Sequence, residues 1–221
     1  CNRTLKFDEL FRAGKELGQD YIATGHYVIV EHGEDGRYKL RKAVDLSKDQ
    51  SYVLYSLSQE QLSHTMFPLG SMHKSETRKI AEAHGFISAK RKESQDICFI
   101  PDGDYASFIE RYTGKKIASG NFVDMDGNIL GIHKGIIHYT VGQRKGLGLA
   151  LKHPMYVQYI DAQNNEVVLG SNEDLFKTEL TAHNINWVSI ACPDAPFRAK
   201  ARIRYKHKEA PATITPISET E

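Results

Sequence analysis

The sequence predicts an α/β region over residues 1–101, followed by mostly β structure up to residue 221. Near the start, apolar residues at helical spacing precede a short apolar run, and this succession is typical of one unit of an α/β sheet. After residue 101, glycine becomes frequent and turns separate short segments. Residues 197–208 then alternate strictly between cations and other residues, which is the period of a strand.

The first region is predicted to begin with a helix from Phe7 to Leu17, and Gly18 stands where a glycine commonly ends a helix. The run Tyr21–Tyr27 predicts a buried strand, and ligands bind in loops at the carboxyl ends of such strands. Turn and capping signals predict the remaining elements. These are a hairpin of residues 28–30 and 38–40 around an Asp-Gly turn, a helix from Ser58 through Met66 opened by a capping box with Gln61, and a helix from Ser75 to His84 with Ile80 and Ala83 on its inner side.

The change in character after residue 101 predicts three domains. Residues 1–101 form the first, residues 102–173 a small central domain, and residues 174–221 the start of a third, β-rich domain that the sequence cuts short. The central domain is expected to hold a helix over 104–112 and a hairpin of residues 155–160 and 167–169.

Composition narrows the class of protein. A hydrophobic fraction of 40% and a net charge of +1 are ordinary for soluble globular proteins, so we expect a cytoplasmic protein with no membrane partner. Three sparse cysteines, Cys1, Cys98 and Cys192, disfavour a secreted disulfide scaffold. Their spacing fits no zinc motif, so we expect no tightly bound metal. The first residue is Cys1, from which we expect a fragment of a longer chain.

Cations occupy every even position from Arg198 to Lys208, with Arg202 and Arg204 among them. In one continuous strand they would share a face, which needs either solvent or an anionic partner. Two interpretations stay open. The face is a charged edge that resists aggregation, or it contacts a phosphate backbone, with Tyr205 stacking on a base.

Cys98 lies in the segment Ser94–Ile100, shortly after the cations at 90–92. Those cations favour its thiolate and Asp96 opposes it, so residue types alone leave the reactivity of this thiol open.

Several motifs together resemble the tRNA-specific 2-thiouridylases, the MnmA/TrmU family, in family order and over almost the whole chain. They are Cys1-Asn2-Arg3 with Lys6-Phe7, the run Tyr21–Tyr27, the segment Ser47–Tyr52, the segment Ser94–Ile100, the segment Thr140–Gly148, and Arg204-Tyr205.

The resemblance implies an enzyme that uses ATP, with Mg²⁺, to adenylate the C2 oxygen of the wobble uridine in Lys, Glu and Gln tRNAs, and then replaces that oxygen with sulfur. The implied fold is the C-terminal part of an adenine-nucleotide α-hydrolase-like (PP-loop) domain, a small tRNA-contacting central domain and the start of a C-terminal β-barrel. The implied partners are tRNA and a persulfide-carrying sulfur-relay protein, and we expect a monomer.

The resemblance also implies roles for individual residues. Cys98 would carry the persulfide, and Cys1 would be the nucleophile that attacks it and leaves a Cys1–Cys98 disulfide. Gly25 would contact ATP. The implied tRNA-binding residues are Lys48, Asp49, Gln50, Arg204 and Tyr205.

One part of the family pattern lies upstream of Cys1, namely the loop that grips the phosphates of ATP. We therefore expect the fragment alone to bind ATP poorly and to be inactive in thiolation.

Other interpretations stay open at this stage. The segment could serve only to dock tRNA, or belong to another ATP-pyrophosphatase enzyme such as an argininosuccinate-synthase-like ligase, which has no use for two distant thiols. His26 could pack or touch a ligand, and residues 142–148 could form a tight turn or hold a phosphate through Arg144 and Lys145. We expect Cys192 to be incidental.

Overall fold

The computed structural model describes residues 2–90, 100, 103–205 and 207–221. The chain divides into two compact units, one of residues 1–91 with 181–221 and the other of residues 92–180. Helices and short sheets make up the first unit, and the second is mostly β, which agrees with the predicted α/β-then-β order.

The first unit begins with a helical segment whose two parts differ in pitch. A π-helix, Asn2–Glu9, continues into helix α1, Leu10–Glu16. The predicted helix is confirmed, and so is its stop, because Gly18 has a φ of 68° that favours glycine. The chain then enters strand β1, Ile22–Ala23.

A hairpin follows, as predicted, from strand β2, Val28–His32, and strand β3, Tyr38–Lys42, which pair antiparallel. Helix α2, Gln59–Ser63, opens with the expected capping box between Ser58 and Gln61. The prediction that it runs through Met66 is wrong. The chain leaves the helix to form strand β4, Thr65–Met66, whose pairing with β1 is parallel.

Helix α3, Lys74–Ala83, ends before Gly85, which has a φ of 68°. The predicted inner side of this helix is wrong: Ile80 is 47% exposed and α3 contains no buried residue. In the described part of the chain, α3 packs mainly on the 3₁₀ turn Ile87–Lys90, which gives it too little cover for an inner face.

The C-terminal part of the first unit is a second hairpin, of strand β9, Phe197–Ala201, and strand β10, Ala210–Ile214. The four described strands that lie between β4 and β9 in the sequence, from residue 120 to residue 170, belong to the other unit. The continuous strand predicted over 197–208 is therefore wrong beyond Ala201, where the chain turns.

Hydrogen bonds join residues 181–221 to the earlier part of the same unit. The Arg37 guanidinium donates to the carbonyl oxygen of Trp187 at 2.7 Å, and the Gln59 amide donates to that of Val188 at 2.8 Å. Val188 also packs against the buried cluster of the unit. That cluster consists of Phe7, Ile22, Val28, Leu54, Leu57 and Leu62. The two sequence segments thus share one core.

The second unit contains helix α4, Tyr105–Thr113, which confirms the helix predicted over 104–112. Asp104 caps its start, and Gly114 follows its end with a φ of 66°. The unit also contains four strands, β5, Gly120–Val123; β6, Ile129–His133; β7, Tyr156–Asp161; and β8, Glu166–Gly170. They form one sheet in the order β6-β5-β8-β7, in which β5 and β8 are parallel. Among the described residues these strands do not close into a barrel.

Short 3₁₀ turns complete the described structure, at Ser51–Leu54, Ile136–His138 and Glu173–Leu175. No helix in the part of the chain that the structure describes has both the length and the apolar character needed to cross a bilayer.

Candidate functional site

The two cysteines predicted to carry the chemistry, Cys1 and Cys98, lie outside the described residues, as does Lys206 of the predicted basic face. The other predicted site residues are described, and all of them belong to the first unit. They fall into a nucleotide part around Gly25 and an RNA part around residues 48–50 and 204–205.

Gly25 lies two residues after the end of β1, at the carboxyl end of the parallel pair that β1 forms with β4. The Thr24 amide donates to the carbonyl oxygen of Met66 at 3.1 Å, which extends this pair by one residue. Gly25 is exposed, and a Cβ there would meet Leu69 only at an ordinary 3.8 Å. Its backbone is therefore accessible to a ligand at the sheet edge where nucleotides bind in such folds.

His26, the next residue, is buried and packs its ring against Phe7 and Phe67. Its Nδ1 lies 3.0 Å from the Thr24 hydroxyl. Burial, with a smaller contribution from Lys6, lowers the pKa of His26 to about 4. The imidazole is thus neutral at pH 7, which favours the packing interpretation over a charged ligand contact.

Asp49 is buried, and its carboxylate is held from several sides. One oxygen accepts from the amide of Ala43 at 3.0 Å, and the other accepts from the Ser51 hydroxyl at 2.7 Å. Arg202 lies 3.8 Å from that second oxygen. Buried carboxylates require such compensation, so the side chain of Asp49 supports the loop around it from within.

Gln50 also points to the protein. Its side-chain oxygen accepts from the backbone N–H of Tyr27 at 3.0 Å, and its backbone N–H donates to the carbonyl oxygen of Tyr27 at 2.9 Å. The sequence motif identified residues 48–50 as one binding segment. The structure directs Asp49 and Gln50 inward, while Lys48 is partly buried.

The loop after β9 brings residues 203–205 to the same place. The Tyr205 hydroxyl donates to the carbonyl oxygen of Asp49 at 3.4 Å, although the two residues are 156 positions apart in sequence. Arg204 is exposed and Tyr205 is 44% exposed. The predicted RNA-binding segments are thus in direct contact.

Sequence reasoning placed Arg202 in the basic face and Tyr52 in the motif Ser47–Tyr52 but gave neither residue a role of its own. The Arg202 guanidinium is 4.9 Å from the centre of the Tyr52 ring and 5.9 Å from that of Tyr205. The alternating pattern grouped Arg202 with the exposed cations, so no sequence signal set it apart.

The predicted basic face exists over the length of β9 only. Arg198 and Lys200 are exposed, while Ala199 and Ala201 between them are partly buried. The Arg198 guanidinium donates to the Thr213 hydroxyl across the hairpin at 3.0 Å. The described cations beyond Ala201 do not continue this strand face.

In the second unit, the glycine-rich loop forms turns, as Gly142, Gly146 and Gly148 all have positive φ. Ten of the residues between 144 and 155 line a cavity of about 330 Å³. Arg144, Lys152 and His153 contribute to its wall, together with Leu147 and other apolar side chains. The loop thus combines a tight turn with a cationic surface, and the two open interpretations do not exclude each other.

In the described residues, no group of three or more His, Cys, Asp or Glu side chains is arranged to hold a metal ion.

Comparison of the chain with models of known protein families first defines the class of protein to which it is similar. Residues 1–102 match the family model described as the tRNA methyl transferase HUP domain, and residues 106–171 match the one described as the tRNA methyl transferase PRC-barrel domain. The order of these two matched regions fits the order of an α/β part before a mostly β part in the chain.

Individual relatives narrow the class. The chain is 49% identical over 220 residues to the tRNA-specific 2-thiouridylase MnmA of Clostridioides difficile (strain 630), and 50% identical over 220 residues to that of Acetivibrio thermocellus. It is 51% identical over 220 residues to the tRNA-specific 2-thiouridylase MnmA 1 of Caldanaerobacter subterraneus subsp. tengcongensis. Each alignment covers 99% of this chain, and the chain spans about 60% of the length of these relatives (61%, 61% and 60%). The chain belongs to the tRNA-specific 2-thiouridylase family.

Proposed function

We propose that the full-length protein containing this chain is a tRNA-uridine 2-sulfurtransferase. In this proposal it uses ATP to thiolate the wobble uridine of Lys, Glu and Gln tRNAs at C2. The observation that carries the proposal is the contact between residues 48–50 and 204–205. The family resemblance implies that both segments bind tRNA, and they meet through Tyr205 and Asp49 although they are far apart in sequence. Identities near 50% with tRNA-specific 2-thiouridylases along the whole chain support it.

The two thiols favour sulfur transfer over the methyl transfer that gives the matched family model its name. Methyl transfer does not require a pair of distant cysteines, whereas release of sulfur from a persulfide does. Cys98 would receive sulfur from a persulfide-carrying relay protein. Cys1 would supply the second thiolate.

The Cys1 thiolate attacks the inner sulfur of the Cys98 persulfide, and the bond between the two persulfide sulfurs breaks. The released sulfur displaces AMP from C2 of the adenylated uridine, which becomes 2-thiouridine. A Cys1–Cys98 disulfide remains, and an external thiol reductant restores both thiols. The two cysteines must therefore approach to a Cα separation of about 4.4–6.8 Å.

We propose that ATP contacts the backbone of Gly25, which is exposed at the carboxyl end of β1 and leaves room for a nucleotide there. ATP supplies the AMP that makes the C2 oxygen a leaving group, and we propose that Mg²⁺ accompanies its phosphates. The contribution of Gly25 is an accessible backbone at the sheet edge.

For RNA, we propose that Arg204 and Tyr205 contact tRNA directly, with Lys48 beside them. An arginine binds phosphate and an exposed tyrosine ring stacks on a base. Asp49 and Gln50 would act on tRNA by holding the backbone of this segment, since their side chains are engaged with the protein. The target uridine must also leave its stack to reach the reacting groups.

The domain organisation is part of the proposal. We propose that residues 1–101 are the C-terminal part of a PP-loop catalytic domain and that residues 102–173 are a small tRNA-contacting central domain with Arg144 and Lys145 on phosphates. Residues 174–221 would be the start of a C-terminal β-barrel domain. The full-length protein would act as a monomer.

Replacement of each cysteine in the full-length protein tests the function. We expect Cys1→Ser and Cys98→Ser to abolish ATP-dependent thiolation, as measured by retardation of thiolated tRNA in mercury-containing gels. Cys192→Ser is the matched control, because Cys192 is a partly buried thiol near the carbonyl oxygens of Pro193 and Ser218. We expect it to retain activity.

If both cysteine variants thiolated tRNA at the rate of the control, the sulfur-transfer proposal would be refuted. If wild-type protein bound tRNA without thiolating it under the same conditions, the segment would serve only to dock RNA.

A further inference from the structure

Arg202 differs from its neighbours because the strand ends just before it. Along β9, Arg198 and Lys200 are exposed, but the chain leaves the sheet at Ala201. The Arg202 side chain is only 20% exposed, in contact with the segment that contains Asp49. An arginine placed inward requires partners for its charge and for its planar face.

Both kinds of partner are present. Asp49 provides the opposite charge, with its carboxylate 3.8 Å from the guanidinium. The rings of Tyr52 and Tyr205 lie at 4.9 and 5.9 Å from the guanidinium, within the range of cation–π attraction. Their centres are 5.9 Å apart. The Arg202 guanidinium therefore lies against one tyrosine ring from each segment. It also lies against the carboxylate of Asp49, which belongs to the same segment as Tyr52.

Two hydrogen bonds cross between the segments in opposite directions. The Tyr52 hydroxyl donates to the carbonyl oxygen of Ile203 at 3.3 Å, and the Tyr205 hydroxyl donates to that of Asp49 at 3.4 Å. Each tyrosine thus fixes the backbone of the other segment. Without the guanidinium between them, the Asp49 carboxylate would lose its neighbouring cation and both rings would lose a contact.

We propose that Arg202 is a positioning residue that clamps the loop 203–205 onto the segment 48–52, so that Lys48, Arg204 and the exposed side of Tyr205 form one preorganised tRNA-binding surface. Its relevance to RNA rests on the proposed function, whereas the clamp itself does not. A loop that is ordered before binding loses less conformational freedom when RNA arrives, which strengthens binding without a new contact.

The clamp is tested first without RNA, by hydrogen exchange of the full-length protein. Arg202→Met keeps a long side chain but removes the charge and the planar group. We expect faster amide exchange confined to residues 47–52 and 202–208. Arg78→Met is the matched control, because Arg78 is an exposed arginine on α3 of the same unit; we expect it to leave these amides unchanged. Unchanged exchange in Arg202→Met, or faster exchange throughout the unit, would overturn the clamp.

Binding and kinetics then test the role in RNA recognition. We expect Arg202→Met to raise the dissociation constant for tRNA roughly tenfold and to raise KM for tRNA, with kcat at saturating tRNA little changed. Arg78→Met should change the dissociation constant by less than about twofold.

A double-variant cycle distinguishes positioning from direct contact. If Arg202 acts through Tyr205, then Arg202→Met combined with Tyr205→Leu binds tRNA no more weakly than the weaker single variant. Additive losses would show that Arg202 contacts RNA by itself and would overturn the positioning role. Failure of wild-type protein to bind tRNA would refute the proposed function instead, and the exchange experiment would still decide whether the clamp exists.

Discussion

At the scale of single residues, the inward position of Arg202 could not be predicted from the sequence. The alternation of cations correctly predicted that Arg198 and Lys200 share an exposed face. A period of two holds only while the strand continues, however. The chain turns at Arg202, whose partner Asp49 is far away in sequence, and local periodicity contains no information about such a partner.

Asp49 lies in a segment that the sequence identified, although the inward direction of its side chain could not be predicted. The motif around residues 48–50 was sufficient to predict a functional segment, but not the direction of each side chain. Asp49 and Gln50 are polar residues that the fold uses internally, on the amides of Ala43 and Tyr27. Which polar residues of a motif face the protein depends on backbone groups that lie elsewhere in the chain.

His26 gives a testable pH dependence at this scale. Burial lowers the pKa of His26 to about 4 from its ordinary 6.5. Between pH 6.5 and pH 4, His26 binds a proton in the unfolded chain but stays neutral in the folded protein. The free energy of unfolding therefore falls as the pH falls from 6.5 towards 4. Above 6.5 both states are neutral at this position, and the contribution does not change.

We expect His26→Gln to remove this part of the pH dependence in urea unfolding of the full-length protein. His153→Gln serves as the control, since His153 is exposed. The prediction concerns the difference between wild type and variant across the window, because carboxyl groups titrate there too. Parallel curves for wild type and His26→Gln would contradict the buried, neutral imidazole.

At the scale of elements, local signals predicted helix ends well. The glycine stops after α1 and α3 and the capping box of α2 all follow from residues next to each other in sequence. The end of α2 did not, because the chain leaves that helix to pair β4 with β1, a contact made across the fold.

Gly70 is an element-scale position that sequence patterns did not reveal. It is buried beside β2, and a Cβ there would lie 1.9 Å from the carbonyl oxygen of Val28, which is impossible without movement of the backbone. We expect Gly70→Ala to lower the free energy of unfolding by about 3 kcal/mol, as overpacking does. Urea unfolding of the full-length protein measures this.

Gly25→Ala is the matched control, because its Cβ would make an ordinary contact of 3.8 Å with Leu69. We expect a change below about 1 kcal/mol. Equal destabilisation by the two variants would mean that the close approach of residue 70 to β2 is not a feature of the folded protein.

At the scale of the whole molecule, the order of an α/β region before a mostly β region was predictable from composition and periodicity. The packing of residues 181–221 with residues 1–91 was not, since it depends on long-range contacts such as those of Trp187 and Val188 with the first hairpin and α2. The contact between the two predicted RNA-binding segments is made within this unit. It could form only once both segments were folded together.

The central claim is that sulfur passes through Cys98 and that Cys1 releases it. Mass spectrometry of the full-length protein, digested after incubation with a persulfide donor, tests this most directly. We predict the added mass of one sulfur atom on the peptide that contains Cys98. After turnover with ATP and tRNA, we predict a disulfide-linked pair of the Cys1 and Cys98 peptides, with Cys192 unmodified throughout. Sulfur found on Cys1 and absent from Cys98 would contradict the account.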